Sequence, residues 1–130
     1  MSDRVGPLTS VLLFTTETRF PAMRAFYVDA LGLEPSADRG TRTAFDWKSG
    51  DLRLRLILST HDALTEAPAS DPYRMMVNFQ VDDCVAAAAR IEAAGVTFTQ
   101  PATQLSWGGW VATFEDPDGN IVQLLQPAAE

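Results

Sequence analysis

The sequence predicts an α+β fold built from two similar halves, and three observations carry that reading. Strand, helix and further strands follow one another in the same order in each half. Each helical segment stops at a glycine in a similar setting, Val28-Asp29-Ala30-Leu31-Gly32-Leu33 and Ile91-Glu92-Ala93-Ala94-Gly95-Val96. Finally, Trp107 to Pro127 forms two apolar, partly alternating runs about the turn Asp116-Pro117-Asp118-Gly119-Asn120. Proline fixes its own φ, aspartate bonds nearby backbone, and glycine and asparagine tolerate positive φ, so this segment predicts a hairpin.

Leu8 to Thr15 opens the chain as an apolar run of strand length. A helix begins at Thr18 or Arg19, with Pro21 in the first turn, where a missing N–H is tolerated. Met23, Phe26, Tyr27, Ala30 and Leu31 fall on one helical face and predict burial. Gly32 ends that helix. Two strands follow, Thr43 to Lys48 and Leu52 to Ser59, joined by Ser49-Gly50-Asp51. A segment with linker composition, 61–73, precedes the second half. There, Met75 to Val81 is a strand, Asp83 caps a helix to about Ala94, and Gly95 closes it. Strands at Val96 to Thr99, Gly109 to Glu115 and Ile121 to Gln126 complete the chain. The division is a single domain, 1–130, with a first module at 8–60 and a second at 74–127.

Composition narrows the function. A chain of 130 residues fits one domain that buries roughly two-thirds of its unfolded surface. No apolar run approaches the roughly 20 residues that span a bilayer, which predicts no membrane partner. The first ten residues lack a signal-like apolar core, and Cys84 stands alone, so a reducing cytoplasm is the expected location. A net charge of −7 with the single lysine Lys48 argues against a nucleic-acid surface. No Ser-His-Asp set, phosphate loop or dinucleotide glycine pattern is present.

The hairpin at 107–127, the Phe26-Tyr27-Val28-Asp29-Ala30-Leu31-Gly32 helix end and Phe79-Gln80-Val81-Asp82-Asp83 together resemble the vicinal oxygen chelate superfamily. Glyoxalase I, extradiol dioxygenases and bleomycin-resistance proteins belong to it. The resemblance covers about Leu8 to Pro127. It implies two βαβββ modules forming a shared curved-sheet cavity, and frequent homodimers. Members often place a metal-binding Glu after the Asp-Pro-Asp-Gly-Asn turn; here that position is Gln123. Counting back from Gly32 and Gly95 puts the first-strand ligand positions at Leu12 and Met76, neither of which can hold a cation. One amide cannot do so alone. His61 is the only histidine, so a two-histidine iron site is not available within the chain. The expectation is therefore no metal and no cofactor.

Candidate ligand contacts follow. Trp47, Trp107 and Trp110 offer rings that stack on flat ligands, and Trp107 precedes Gly108-Gly109, where backbone can approach closely. Arg53 and Arg55 alternate with Leu52, Leu54, Leu56 and Leu58, so the leucines face the helix and the arginines the opposite side, where a carboxylate or phosphate would suit them. The resemblance gives Gln123 a ligand-orienting role and makes Leu12 and Met76 apolar wall. Local backbone bonding accounts for Asp116 and Asp118 better than acid–base catalysis does. These residues predict a binding protein that sequesters a small organic compound, of toxic or antibiotic aromatic kind. The rivals are a metal-independent lyase or isomerase, a metal-dependent glyoxalase or dioxygenase, and a module whose cavity is filled by its own side chains. The acidic net charge and the arginine pair point to ligands of opposite charge, and the sequence leaves that open.

Overall fold

The computed structural model describes residues 4, 7–66, 72 and 75–129, so the segment expected to link the halves, 61–73, lies partly outside the described residues. The first half comprises β1 (Ser10–Thr15), α1 (Phe20–Ala25), β2 (Ala37–Arg39), β3 (Arg42–Ser49) and β4 (Leu52–Thr60). The second comprises β5 (Met76–Gln80), α2 (Cys84–Ala93), β6 (Phe98–Gln104), β7 (Trp110–Glu115) and β8 (Ile121–Gln126). Each half is a βαβββ module with a four-stranded sheet, ordered β1-β4-β3-β2 and β5-β8-β7-β6. In each, the first strand pairs parallel with the last, and the remaining pairs are antiparallel.

Local chemistry explains the helix ends. Asp83 accepts a hydrogen bond from the Ala86 N–H at 3.0 Å and caps α2. Gly32 and Gly95 adopt φ of 79° and 101°, the left-handed conformation that ends a helix and that a side chain would disfavour. α1 has no side-chain cap, but Pro21 sits in its first turn as expected. Beyond Ala25 the chain widens into a π-helical turn, Phe26–Ala30, with the Leu31 N–H bonded to the Phe26 carbonyl at 2.9 Å. That turn keeps Phe26, Tyr27 and Leu31 buried, while Ala30 stays partly exposed.

The structure adds one strand and moves another. β2 is a short, fully exposed strand of Ala-Asp-Arg with no apolar alternation to betray it. β6 begins at Phe98 rather than Val96 and runs through Pro101 to Gln104, with two register shifts against β7. In the turn at 116–120 Gly119 takes a positive φ, and Asn120 does not.

One core joins both modules. Leu13, Phe45, Leu56 and Leu58 of the first sheet meet Met23, Tyr27 and Leu31, and the same cluster contains Cys84, Ile91, Phe114, Val122 and Leu124. The helical faces of the two sheets therefore turn toward each other. A buried polar contact joins them: the Tyr27 hydroxyl donates to Asp116 Oδ2 at 2.7 Å. Asp116 also accepts from the Asp118 and Asn120 backbone N–H groups and from the Asn120 amide, which fixes the hairpin turn. Nearby, Arg19 pairs with Asp118. Burial raises the Asp116 carboxyl above its ordinary value, although hydrogen bonds from Asn120 and Tyr27 oppose the shift. Burial, reinforced by the Asp116 charge, also pushes the Tyr27 phenol upward, so it stays a donor.

Candidate functional site

Where the two modules meet, they leave a cavity of about 600 Å³. Its walls come from both halves. Val11, Trp47, Leu54 and Leu56 face it from the first sheet, with Leu31 and Leu33 after α1. The second module supplies Met75 to Val81, Leu124, and Ala87, Arg90 and Ile91 of α2. Register explains the first wall. Trp47 lies opposite Leu54, Phe45 opposite Leu56, and Val11 beside Leu56, so these side chains share the helix-facing side. Phe45 is buried there, whereas Trp47 and Leu54 each keep 41% exposure where the core thins toward the cavity. The Trp47 ring stands 6.0 Å from that of Phe79, within aromatic contact range.

The candidate residues separate into groups. Trp47, Arg55 and Met76 line this cavity together. Arg53 instead borders a smaller cavity of about 380 Å³ near Pro7, Lys48 and Leu52. Leu12, Trp107, Trp110 and Gln123 line neither. Leu12 is 38% exposed, on the sheet face away from the helices. Trp110 is packed against the core. Trp107 occupies the turn before β7, and its own indole fills the space over Gly109: a Cβ there would lie 1.8 Å from the ring. The bare backbone at Gly109 thus accommodates a neighbouring side chain.

The expected division of β4 holds in part. Leu56 and Leu58 are buried toward the helices, but Ile57, on the arginine side, is buried as well. The arginines are engaged. Arg53 Nε donates to Asp46 Oδ2 at 2.7 Å, and Arg55 Nε to Asp46 Oδ1 at 2.8 Å. Desolvation alone would raise the Asp46 carboxyl, yet hydrogen bonds from Arg55, Arg53 and Ser36 outweigh it and hold it below the ordinary value. Asp46 is a residue that sequence reasoning missed, because its place opposite Arg55 exists only once β3 and β4 pair.

Arg90 was missed too. Its guanidinium donates to the Ala30 and Leu31 carbonyls at 3.2 and 3.1 Å. It thereby satisfies backbone oxygens that the end of the first helix leaves open. Its position in the last turn of α2, five residues before Gly95, was the available signal.

The sheet face away from the helices carries the positions at which the family resemblance would put a metal. Register sets Leu12 beside Ile57 and Asn78 beside Gln123, with Met76 beside Ile121. Gln123 donates to Thr113 Oγ1 at 3.3 Å, and Thr113 donates in turn to Gln100 at 3.1 Å. Three aliphatic side chains, a thioether and two amides do not fit a divalent cation, which needs carboxylate, imidazole or thiolate ligands. Among the described residues, no group of three or more His, Cys, Asp or Glu comes together. His61 stacks edge-on against Phe14 at 5.0 Å, and its Nδ1 accepts from the Ala63 N–H.

Fold and cavity define a small paired-module protein with an apolar chamber between its halves. The chain belongs to the Glyoxalase/Bleomycin resistance protein/Dioxygenase superfamily, whose family model matches residues 13–124. Solved structures share the fold. A glyoxalase/bleomycin resistance protein/dioxygenase from Nocardioides is 18% identical with a TM-score of 0.74, over 98% of this chain and 87% of that one. A glyoxalase-related enzyme from Fulvimarina pelagi is 20% identical with a TM-score of 0.72, over 95% and 89%. A lactoylglutathione lyase from Agrobacterium tumefaciens is 22% identical with a TM-score of 0.66, over 94% of each. Among curated proteins, none matches the chain by sequence. No helix among the described residues is long and apolar enough to cross a membrane.

Proposed function

We propose that this chain is a cytoplasmic, metal-free binding protein that sequesters a small organic compound, of toxic or antibiotic kind, without breaking a bond in it. The observation that carries the reading is the cavity of about 600 Å³ bordered by Trp47, Leu54, Leu56 and Phe79. Ligand sites are mostly apolar, with a few polar groups that set orientation, and this one has that make-up. Trp47 and Phe79 supply rings for a flat ligand, Met76 an adaptable wall, and Arg55 a polar contact at the rim. Asp46, the carboxylate nearest Arg55, is committed to two arginines and is not free to act as a general base.

Titration with a panel of aromatic compounds, followed by tryptophan fluorescence and by analysis of the recovered compound, tests the proposal. Saturable quenching with the compound unchanged is the expected result. Turnover would replace the reading with an enzymatic one, and no response to any compound would refute it.

A homodimer is supported by a separate observation. Leu12, Phe14 and Met76 are 38%, 39% and 45% exposed, and β1 and β5 are edge strands. Light scattering is expected to give twice the chain's mass, and Leu12→Asp to lower it toward that of one chain.

A further inference from the structure

The charge of the ligand, which composition left open, can be argued from the cavity wall. This inference rests on the binding role proposed for that cavity. Among the described residues lining it, the charged ones are Arg55 and Arg90, and none is acidic. The chain's net charge of −7 therefore lies elsewhere, and at physiological salt a distant charge is screened over about 8 Å. Arg55 pairs with Asp46, which it shares with Arg53. Arg90 is different: its Nη atoms bond two carbonyl oxygens, and no carboxylate pairs with it among the described residues. A guanidinium carries five N–H donors, so those two bonds leave three for an incoming acceptor. The same bonds hold the side chain in place, which reduces the freedom that anion binding would remove.

We propose that the cavity takes an amphipathic anion, with an apolar or aromatic body against Trp47, Leu54 and Phe79 and a carboxylate at Arg90. Apart from the two arginines and the amides of Asn78 and Gln80, the lining is hydrocarbon and ring, so the ligand's charge belongs at one end. A cation of the same shape meets the unpaired Arg90 and no acidic residue among the described lining residues, and is disfavoured.

Phenylbutyrate, phenylbutanol and phenylbutylamine share one apolar body and differ in head group. Titrated against the full chain by tryptophan fluorescence, the acid should bind about tenfold tighter than the alcohol, and the amine weakest. Arg90→Leu should bring the acid down to the alcohol's affinity and leave the alcohol unchanged. Arg90→Gln, which removes the charge but keeps a polar side chain, provides the same comparison should the leucine variant unfold. In the unaltered protein, added salt should shrink the acid's advantage. An acid no tighter than the alcohol, or an advantage that survives both substitutions, overturns the anion assignment while the cavity reading stands. Binding of none of the three overturns both.

Discussion

Tyr27→Phe removes a single oxygen from a ring that is fully buried, and that oxygen is a hydrogen-bond link between the modules. The ring stays, with its edge contact to Phe26 and its tilted contact to Phe45, so little packing is lost. A hydrogen bond to a charged group contributes about 1.5–3 kcal/mol. Asp116 keeps the Asn120 amide and two backbone N–H donors, which argues for the lower end, about 1.5 kcal/mol. For a chain of this size that corresponds to a fall in Tm of roughly 5–8 °C. The bond favours the ionised carboxylate, so its loss should matter more at neutral pH than in acid. Burial places the folded Asp116 pKa above the ordinary value. Its protonated form is therefore the stable one at low pH, and burying its charge opposes folding as pH rises through the folded pKa. The deficit of Tyr27→Phe should accordingly shrink between pH 7 and about pH 4, near the ordinary carboxylate value. Urea unfolding followed by fluorescence at both pH values checks this. A deficit below about 0.5 kcal/mol at neutral pH, or one that grows on acidification, would show that this contact does not join the modules as described.

Other outcomes bear on the site. Trp47→Leu should weaken aromatic ligand binding about tenfold while changing stability by less than about 1 kcal/mol, since the ring is half-exposed; unchanged affinity by calorimetry would remove Trp47 from the site. Asp46→Asn leaves Arg55 without its counter-charge at the cavity rim, so phenylbutyrate should bind roughly threefold tighter at low salt; weaker binding with the fold intact would contradict that. Gly109→Ala forces the Trp107 indole aside and should alter its emission, yet leave ligand affinity unchanged within about twofold if Trp107 is outside the site. Nickel or zinc added to purified protein should leave Tm unchanged, and a saturable, stoichiometric rise would overturn the donor argument.

Much of the architecture was legible because punctuation is local. Gly32, Gly95 and Asp83 sit where backbone geometry needs them, and the strand over 121–126 was readable from its apolar run after the Asp-Pro-Asp-Gly-Asn turn. The role of Asp116 in that turn followed from the chemistry of a short acidic side chain, whereas the Asp118 carboxylate pairs with the distant Arg19. The strand Ala37–Arg39 was invisible because an exposed edge has no periodicity to impose. The site was harder for a different reason. Alternation shows which residues share a face, as Leu54 does with Leu56, but not which faces of two modules meet. The contacts of Tyr27 with Asp116, Arg90 with the Ala30 carbonyl, and Trp47 with Phe79 all cross that junction. Each joins residues more than thirty positions apart in the chain, and none has a local signature.

Chemical-shift mapping of the labelled chain during titration with phenylbutyrate locates the bound ligand directly. Perturbed amides at Leu54, Leu56, Phe79 and Ile91 are the predicted result. Shifts confined to Leu12, Ile57, Thr113 and Gln123, across the sheets from the chamber, would contradict it.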